Sequence, residues 1–356
     1  MSNSSLVREF FSTAGRRICR LTLRQILVGI ALACLLFSAA AVADDKAAPP
    51  GPRLRGTFLQ LTEAHGGWKE ADWVRLFGYF KELHLSQLII QWTVYDDLAF
   101  FQGENFRQVA NPPLPTILKL ADAAGMQVLV GLAHDSGFWG KISRDPELVE
   151  IFLRRLRLRD ETLVRQLVPQ LQDHPSFRGW YIPEEVDDVN WQGAPARKVL
   201  FAYLRELSAY LHKAAPGSRV AISGFTNGRT DPKALGRFWQ DMVEEASIDD
   251  VLFQDGVGAG KLLPEEVPVY LEVLRQAVQS QARKLQVVVE LFRQVSERPF
   301  RAQPASWDRV ARQLEIAARY STGGILAFSV PEYLTPMGGP EADKLFKSYL
   351  NYIGVK

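Results

Sequence analysis

Phe177-Arg-Gly-Trp-Tyr-Ile-Pro-Glu-Glu185 is a short apolar strand that runs straight into acids. Leu285-Gln-Val-Val-Val-Glu290 repeats the pattern further along the chain. Counted from the N-terminal side, the two stretches are the fourth and the seventh of eight strand candidates. In a (β/α)₈ barrel, carboxylates at the C-terminal ends of different strands converge on one pocket. Two carboxylates facing each other across a pocket are the minimum equipment for cleaving a glycosidic bond.

Outward from these stretches, short apolar runs alternate with longer segments of helical periodicity, which is the pattern of βα units around a parallel sheet. The strand candidates are Gly56–Leu61, Gln87–Trp92, Gln127–Leu132, Arg178–Ile182, Arg219–Ser223, Asp250–Gln254, Gln286–Leu291 and Gly324–Ser329. The helices expected between and after them are Glu70–His84, Pro115–Gly125, Pro146–Gln172, Arg197–Ala214, Lys233–Glu245, Pro264–Arg283, Ser306–Tyr320 and Glu341–Tyr352. Several strands are continuously apolar, as parallel strands covered on both faces should be. An open doubly wound sheet is disfavoured, because Gln60-Leu-Thr-Glu-Ala-His65 is no glycine-rich phosphate turn. The expected fold is therefore a single (β/α)₈ TIM barrel over residues 54–356.

Before that barrel lies a different kind of sequence. Arg8, Arg16, Arg17, Arg20 and Arg24 precede an uncharged run from Gln25 to Ala43, and Ala41-Val-Ala43 offers a small-x-small cleavage site. Residues 1–43 read as a signal peptide, with an uncleaved membrane anchor as the alternative. Residues 44–53, rich in Ala and Pro, read as a linker. Both cysteines, Cys19 and Cys34, fall inside the signal, so the exported chain would carry no thiol, which suits an oxidising compartment. A periplasmic or secreted barrel is the expectation, touching membrane only through the N-terminal segment if that is retained. The formal charge of +2 includes the arginines of this segment, and no basic block marks a nucleic-acid footprint.

The strand ends concentrate acids, amides and indoles. Hydroxyl-rich ligands are satisfied by carboxylate and amide hydrogen bonds, while the apolar face of a pyranose lies on an aromatic ring. On that basis Gln60, Gln91, Trp92, His134, Trp139, Trp180, Tyr181, Glu184, Asn227, Gln254, Asp255 and Tyr333 are expected to meet a polysaccharide or oligosaccharide. Trp68 and Trp191 lie in the same loops. A lone aromatic there could equally plug the barrel top, and a lone acid could cap the next helix, as Asp135, Asp187, Asp188 and Asp231 could. Glu290 is harder to explain that way: three valines precede it, so it must be paired, with Arg293 the available partner, or carry a shifted pKa. Between Glu184 and Glu185, periodicity alone does not decide which faces the pocket.

The mature chain's histidines include no His-x-His or His-Glu-x-x-His, and no Gly-x-Ser-x-Gly elbow occurs. Metal-dependent and serine hydrolases are thereby disfavoured, and paired-carboxylate chemistry needs neither metal nor organic cofactor.

Gly56-Thr-Phe-Leu-Gln60, Leu88-Ile-Ile-Gln91-Trp92-Thr93, Gly179-Trp-Tyr-Ile-Pro-x-Glu185 and Gln254-Asp255-Gly-Val-Gly258 together resemble the family catalogued as domain of unknown function 4434. That family is similar to barrel-shaped glycoside hydrolases. The resemblance implies that Glu185, not Glu184, is the recurrent acid, and that Glu290 is the strand-7 glutamate. It also looks like the clan of retaining glycosidases, in which the strand-4 residue is acid/base and the strand-7 residue is nucleophile. That clan usually has Asn before the strand-4 Glu, where Glu184 stands here, so another donor such as Gln254, Asn227 or Trp180 would have to serve the sugar 2-hydroxyl. The competing expectation is a carbohydrate-binding barrel without catalysis, acting in glycan export or assembly.

Overall fold

The computed structural model describes residues 51–355. The expected signal peptide, and the linker up to residue 50, lie outside the described residues. Eight parallel strands close into a barrel in chain order: β1 (Leu54–Leu59), β2 (Gln87–Ile90), β3 (Gln127–Gly131), β4 (Phe177–Val186), β5 (Arg219–Gly224), β6 (Asp250–Gln254), β7 (Lys284–Glu290) and β8 (Ile325–Phe328). The main helices are α1 (Glu70–Glu82), α2 (Leu114–Ala123), α3 (Pro146–Leu171), α4 (Ala194–Ala214), α5 (Pro232–Ala246), α6 (Val267–Ser280), α7 (Trp307–Tyr320) and α8 (Pro340–Tyr352). This is a TIM barrel.

Local chemistry places the boundaries. The Asp231 carboxylate accepts the Ala234 N–H at 3.1 Å, and Pro232, which has no N–H to leave unpaired, opens α5. Parallel pairing of β1 with β8 closes the barrel, and beside that seam the Tyr349 hydroxyl of α8 accepts the Leu54 N–H at 2.8 Å.

Side chains alternate across each strand, and the lumen is built in layers. One residue from each strand forms the middle layer: Phe58, Ile89, Leu129, Tyr181, Ala221, Leu252, Val288 and Leu326, all buried. Their neighbours Leu59, Ile90, Val130, Trp180, Ile182, Ile222, Phe253 and Val289 pack outward under the helices. Burying one such aliphatic or aromatic side chain contributes about 1.5–3 kcal/mol. Two residues toward the N-terminal end, the lumen is closed by polar groups: Arg219 pairs with Asp250 at 2.5 Å, and the Gln87 and Gln286 amides exchange hydrogen bonds. Two residues toward the C-terminal end lies the layer that opens to the rim.

The rim carries structure absent from the sequence reading. Val94–Tyr95, Leu98–Ala99, Arg107–Gln108 and Ala133–His134 form a small sheet over the β2 and β3 loops, and Phe292–Ser296 pairs with Arg301–Pro304 as a hairpin directly after β7. Two-residue strands are too short to carry a readable period.

Candidate active site

Alternation assigns the two acids of β4. Tyr181 is in the lumen and Trp180 and Ile182 are outside it, and although the register against β5 shifts between Ile182 and Val186, alternation points residue 185 in and residue 184 out. Their contacts agree. The Glu185 carboxylate accepts the Gln254 side-chain N–H from β6 at 2.6 Å. Glu184 instead accepts the Tyr203 hydroxyl of α4 at 3.3 Å and lies beside Asp160 of α3. By the same alternation Gln60, Gln91, Gln254 and Glu290 belong to the rim-side lumen layer, two residues beyond Phe58, Ile89, Leu252 and Val288. Gln91 is buried, and its side-chain oxygen has no partner.

Glu290 is 2% exposed, and one carboxylate oxygen accepts the Ala259 N–H at 2.7 Å. The loop after β6 reaches it only because residue 258 is glycine: a Cβ there would lie 2.5 Å from the Phe292 carbonyl oxygen and 2.7 Å from the Glu290 Cβ. Burial, reinforced by the nearby Asp255 charge, pushes the Glu290 carboxyl up to about 8. Of the two possibilities open from sequence, the Arg293 pairing does not form. Arg293 is exposed and donates to Gln303 at 3.3 Å, while Arg309 donates to the Glu290 backbone oxygen at 3.0 Å. Burial also raises the Glu185 carboxyl, opposed by its bond from Gln254 and by the charge of Lys261.

Several residues expected to meet sugar are placed elsewhere. Trp180 is wholly buried on the helix side, edge-on to Phe177. Glu184 is buried on that side too. Asp255 turns to α7, where Gln313 donates to it at 2.6 Å, and burial pushes it up to about 6. In each case the strand's alternation puts the side chain outside the lumen. Tyr181 is in the lumen but fully buried, sharing a hydrogen bond of 2.6 Å with Ser223, so it is floor, not contact surface. Asn227 is engaged by Asp188, a carboxylate that also holds Thr226, Arg229 and Thr230 and organises the β5 loop. The Trp92 indole N–H is spent on the Leu61 carbonyl at 2.7 Å, and its ring stacks on His134. Tyr333 packs on Phe292. Trp191 is buried and Trp68 packs on Trp73, which leaves Trp139, 40% exposed beside Phe225, as the open indole of the rim.

Two groups were missed from sequence. Lys261 sits with its ammonium 3.0 Å from the Phe225 ring centre, in the electrostatic field of both Glu185 and Glu290. The signal was present: Gly256-Val-Gly-Ala-Gly-Lys261 is a glycine-rich loop at the end of β6 carrying one cation. Asp160 is buried on the apolar stripe of α3, between Leu156 and Leu163, and burial pushes it up to about 8. An acid in the register of the buried leucines was readable.

The arrangement offers two inward carboxylates from β4 and β7, amide donors from β6 and β2, and an aromatic wall. The described residues contain no group of three or more His, Cys, Asp or Glu placed to hold a metal ion. Among solved structures, a Bacteroides thetaiotaomicron protein described as a "putative alpha-L-fucosidase" superposes with a TM-score of 0.74 at 19% identity, over 88% of this chain and 99% of that one. A beta-galactosidase from Halorubrum lacusprofundi gives a TM-score of 0.55 at 12% identity, over 85% of this chain and 57% of that one. These likenesses show the barrel fold. An uncharacterized protein of Escherichia coli (strain K12), YbcH, is 30% identical over 274 residues, 76% of this chain and 86% of that protein. The family described as domain of unknown function (DUF4434) matches residues 54–342, and the chain belongs to it.

Proposed function

We propose that the protein is an exported glycoside hydrolase that cleaves a polysaccharide with retention of anomeric configuration, using Glu185 as general acid/base and Glu290 as nucleophile. The observation that carries this reading is that the glutamates of β4 and β7 both face the lumen and both act on Lys261, while Glu184 and Asp255 turn to the helices. Glu185 protonates the leaving oxygen and then activates water; Glu290 attacks the anomeric carbon. Burial raises both carboxyls, which suits a proton donor at Glu185. The nucleophile must be ionised, so turnover falls as pH drops below the value that governs Glu290. Retaining chemistry wants the carboxyl groups roughly 5 Å apart, and Lys261, which feels both charges, favours ionisation of each. The N-terminal basic and apolar segment supports export to the periplasm or beyond.

The test is a panel of polysaccharides offered to the purified protein, with reducing ends and anomeric configuration followed by NMR. Cleavage by the native chain that vanishes in Glu290→Gln supports the assignment. Equal cleavage by native, Glu185→Gln and Glu290→Gln proteins removes both residues from the mechanism. Glycan binding without cleavage of any panel member moves the reading to a non-catalytic carbohydrate-binding barrel.

A further inference from the structure

Lys261 is the unspent charge of the pocket. Lys119, Lys141 and Lys347 each sit within 3.1 Å of a carboxylate oxygen, whereas the Lys261 ammonium makes no hydrogen bond or ion pair with the described residues. It is held over the face of Phe225, at 3.0 Å from the ring centre. A cation gripped by a ring face keeps its N–H donors available on the side away from the ring. Phe225 in turn packs on the open indole of Trp139, with ring centres 5.7 Å apart. Stacking platform and free ammonium therefore share one wall.

Among the described residues no acid forms an ion pair with this charge. Asp188 is saturated by the β5 loop, Asp187 is bonded to Asn190, and Glu184 and Asp255 face the helices. Glu185 and Glu290 remain; their charges act on Lys261, against the burial that lowers its proton affinity, but neither forms an ion pair with it. The rim adds charge of the same sign as Lys261. The hairpin leaving β7 carries exposed Arg293, Arg298 and Arg301 against a single acid, Glu297, and Arg229 is exposed on the β5 loop.

We propose that the glycan recognised here is acidic, with a sugar carboxylate seated against Lys261 while its ring lies on Trp139. This rests on the glycosidase reading and deepens it. A neutral sugar would leave a half-buried ammonium short of acceptors, whereas a uronate supplies two oxygens of opposite charge. The rim arginines would draw a polyanionic chain toward the mouth.

The experiment uses the full-length chain with two sets of polymers. One set is alginate, polygalacturonate, hyaluronan and glucuronoxylan; the other is the same polymers after chemical reduction of their carboxylates, together with cellulose, xylan and chitin. Cleavage confined to an acidic polymer and lost on its reduction is expected. Lys261→Met should raise KM on the order of ten- to a hundredfold and flatten the rise of KM with added salt, with circular dichroism unchanged. A merely structural lysine would leave the salt dependence alone. Cleavage of neutral or reduced polymers with native KM in Lys261→Met overturns the inference and leaves the glycosidase reading standing. If neither set is cleaved or bound, the glycosidase reading fails and the inference falls with it.

Discussion

Replacing Glu290 by Gln should make the protein more stable while abolishing turnover. The carboxyl has an ordinary value of 4.5 and is pushed up to about 8 by burial and by Asp255. At pH 7 the folded protein must hold a proton that the unfolded chain has released. At about 1.4 kcal/mol per unit, keeping it costs roughly 3 kcal/mol of folding stability. Asp255, itself pushed up to about 6, shares that cost, so a gain of about 1–3 kcal/mol is expected from the substitution. The sign follows from linkage. A carboxyl raised in the folded state costs nothing below its unfolded value, and its penalty grows as pH rises toward the folded value. The gain should therefore be absent near pH 4, present at pH 7 and larger at pH 9. Gln preserves the acceptor for the Ala259 N–H, so no hydrogen bond is lost. Urea unfolding of both proteins at the three pH values measures the difference. A gain that does not increase with pH, or a loss at pH 9, would refute the view of Glu290 as a buried carboxyl held without a cationic partner.

Three further outcomes test the site. Glu185→Gln should cut kcat on natural glycans by at least a hundredfold, in the range for a general acid, yet spare activated aryl glycosides; azide should rescue Glu185→Ala with retained configuration, read by NMR of the glycosyl azide. Gly258→Ala should lower kcat about tenfold or more by moving the β6 loop from Glu290, since its Cβ would lie 2.9 Å from a Glu290 carboxylate oxygen; kinetics and circular dichroism together check that the fold persists. Trp139→Ala should weaken glycan binding by about 1–3 kcal/mol through lost apolar contact, measured by calorimetry, with little change in thermal midpoint.

The fold was legible because a parallel strand buried on both faces writes itself as an uninterrupted apolar run. Val287, Val288 and Val289 are such a run, and all three are fully buried. The long helices were legible through their stripes, as in α3, where Val149, Leu153, Leu156, Leu163 and Leu167 turn inward together. What could not be read was the facing of side chains at the strand ends. Trp180 and Tyr181 are neighbours of similar size and polarity, and both vanish from solvent. One fills the helix layer and the other the lumen floor, and composition cannot separate them. Alternation from Tyr181 favours Glu185 as the inward acid, and because β4 loses its regular register against β5 between Ile182 and Val186, the contacts of Glu184 and Glu185 decide the choice.

The acids turned outward show why a carboxylate at a strand end is weak evidence on its own. Glu184 is as deeply buried as Glu290, each 2% exposed, and its carboxyl is raised as well. Burial and a shifted proton affinity therefore do not distinguish a reacting group from a structural one. Surroundings do. Glu184 meets Tyr203 at 3.3 Å and lies 4.0 Å from the His134 ring nitrogen, within a closed cluster completed by Asp160. Glu290 has the opposite setting, with a loop amide on one oxygen, Gly258 in place of a side chain, and the Lys261 charge acting on it. A raised carboxyl becomes a candidate for chemistry only where the backbone makes room beside it. In this barrel that condition is met beside Glu290, at the end of β7.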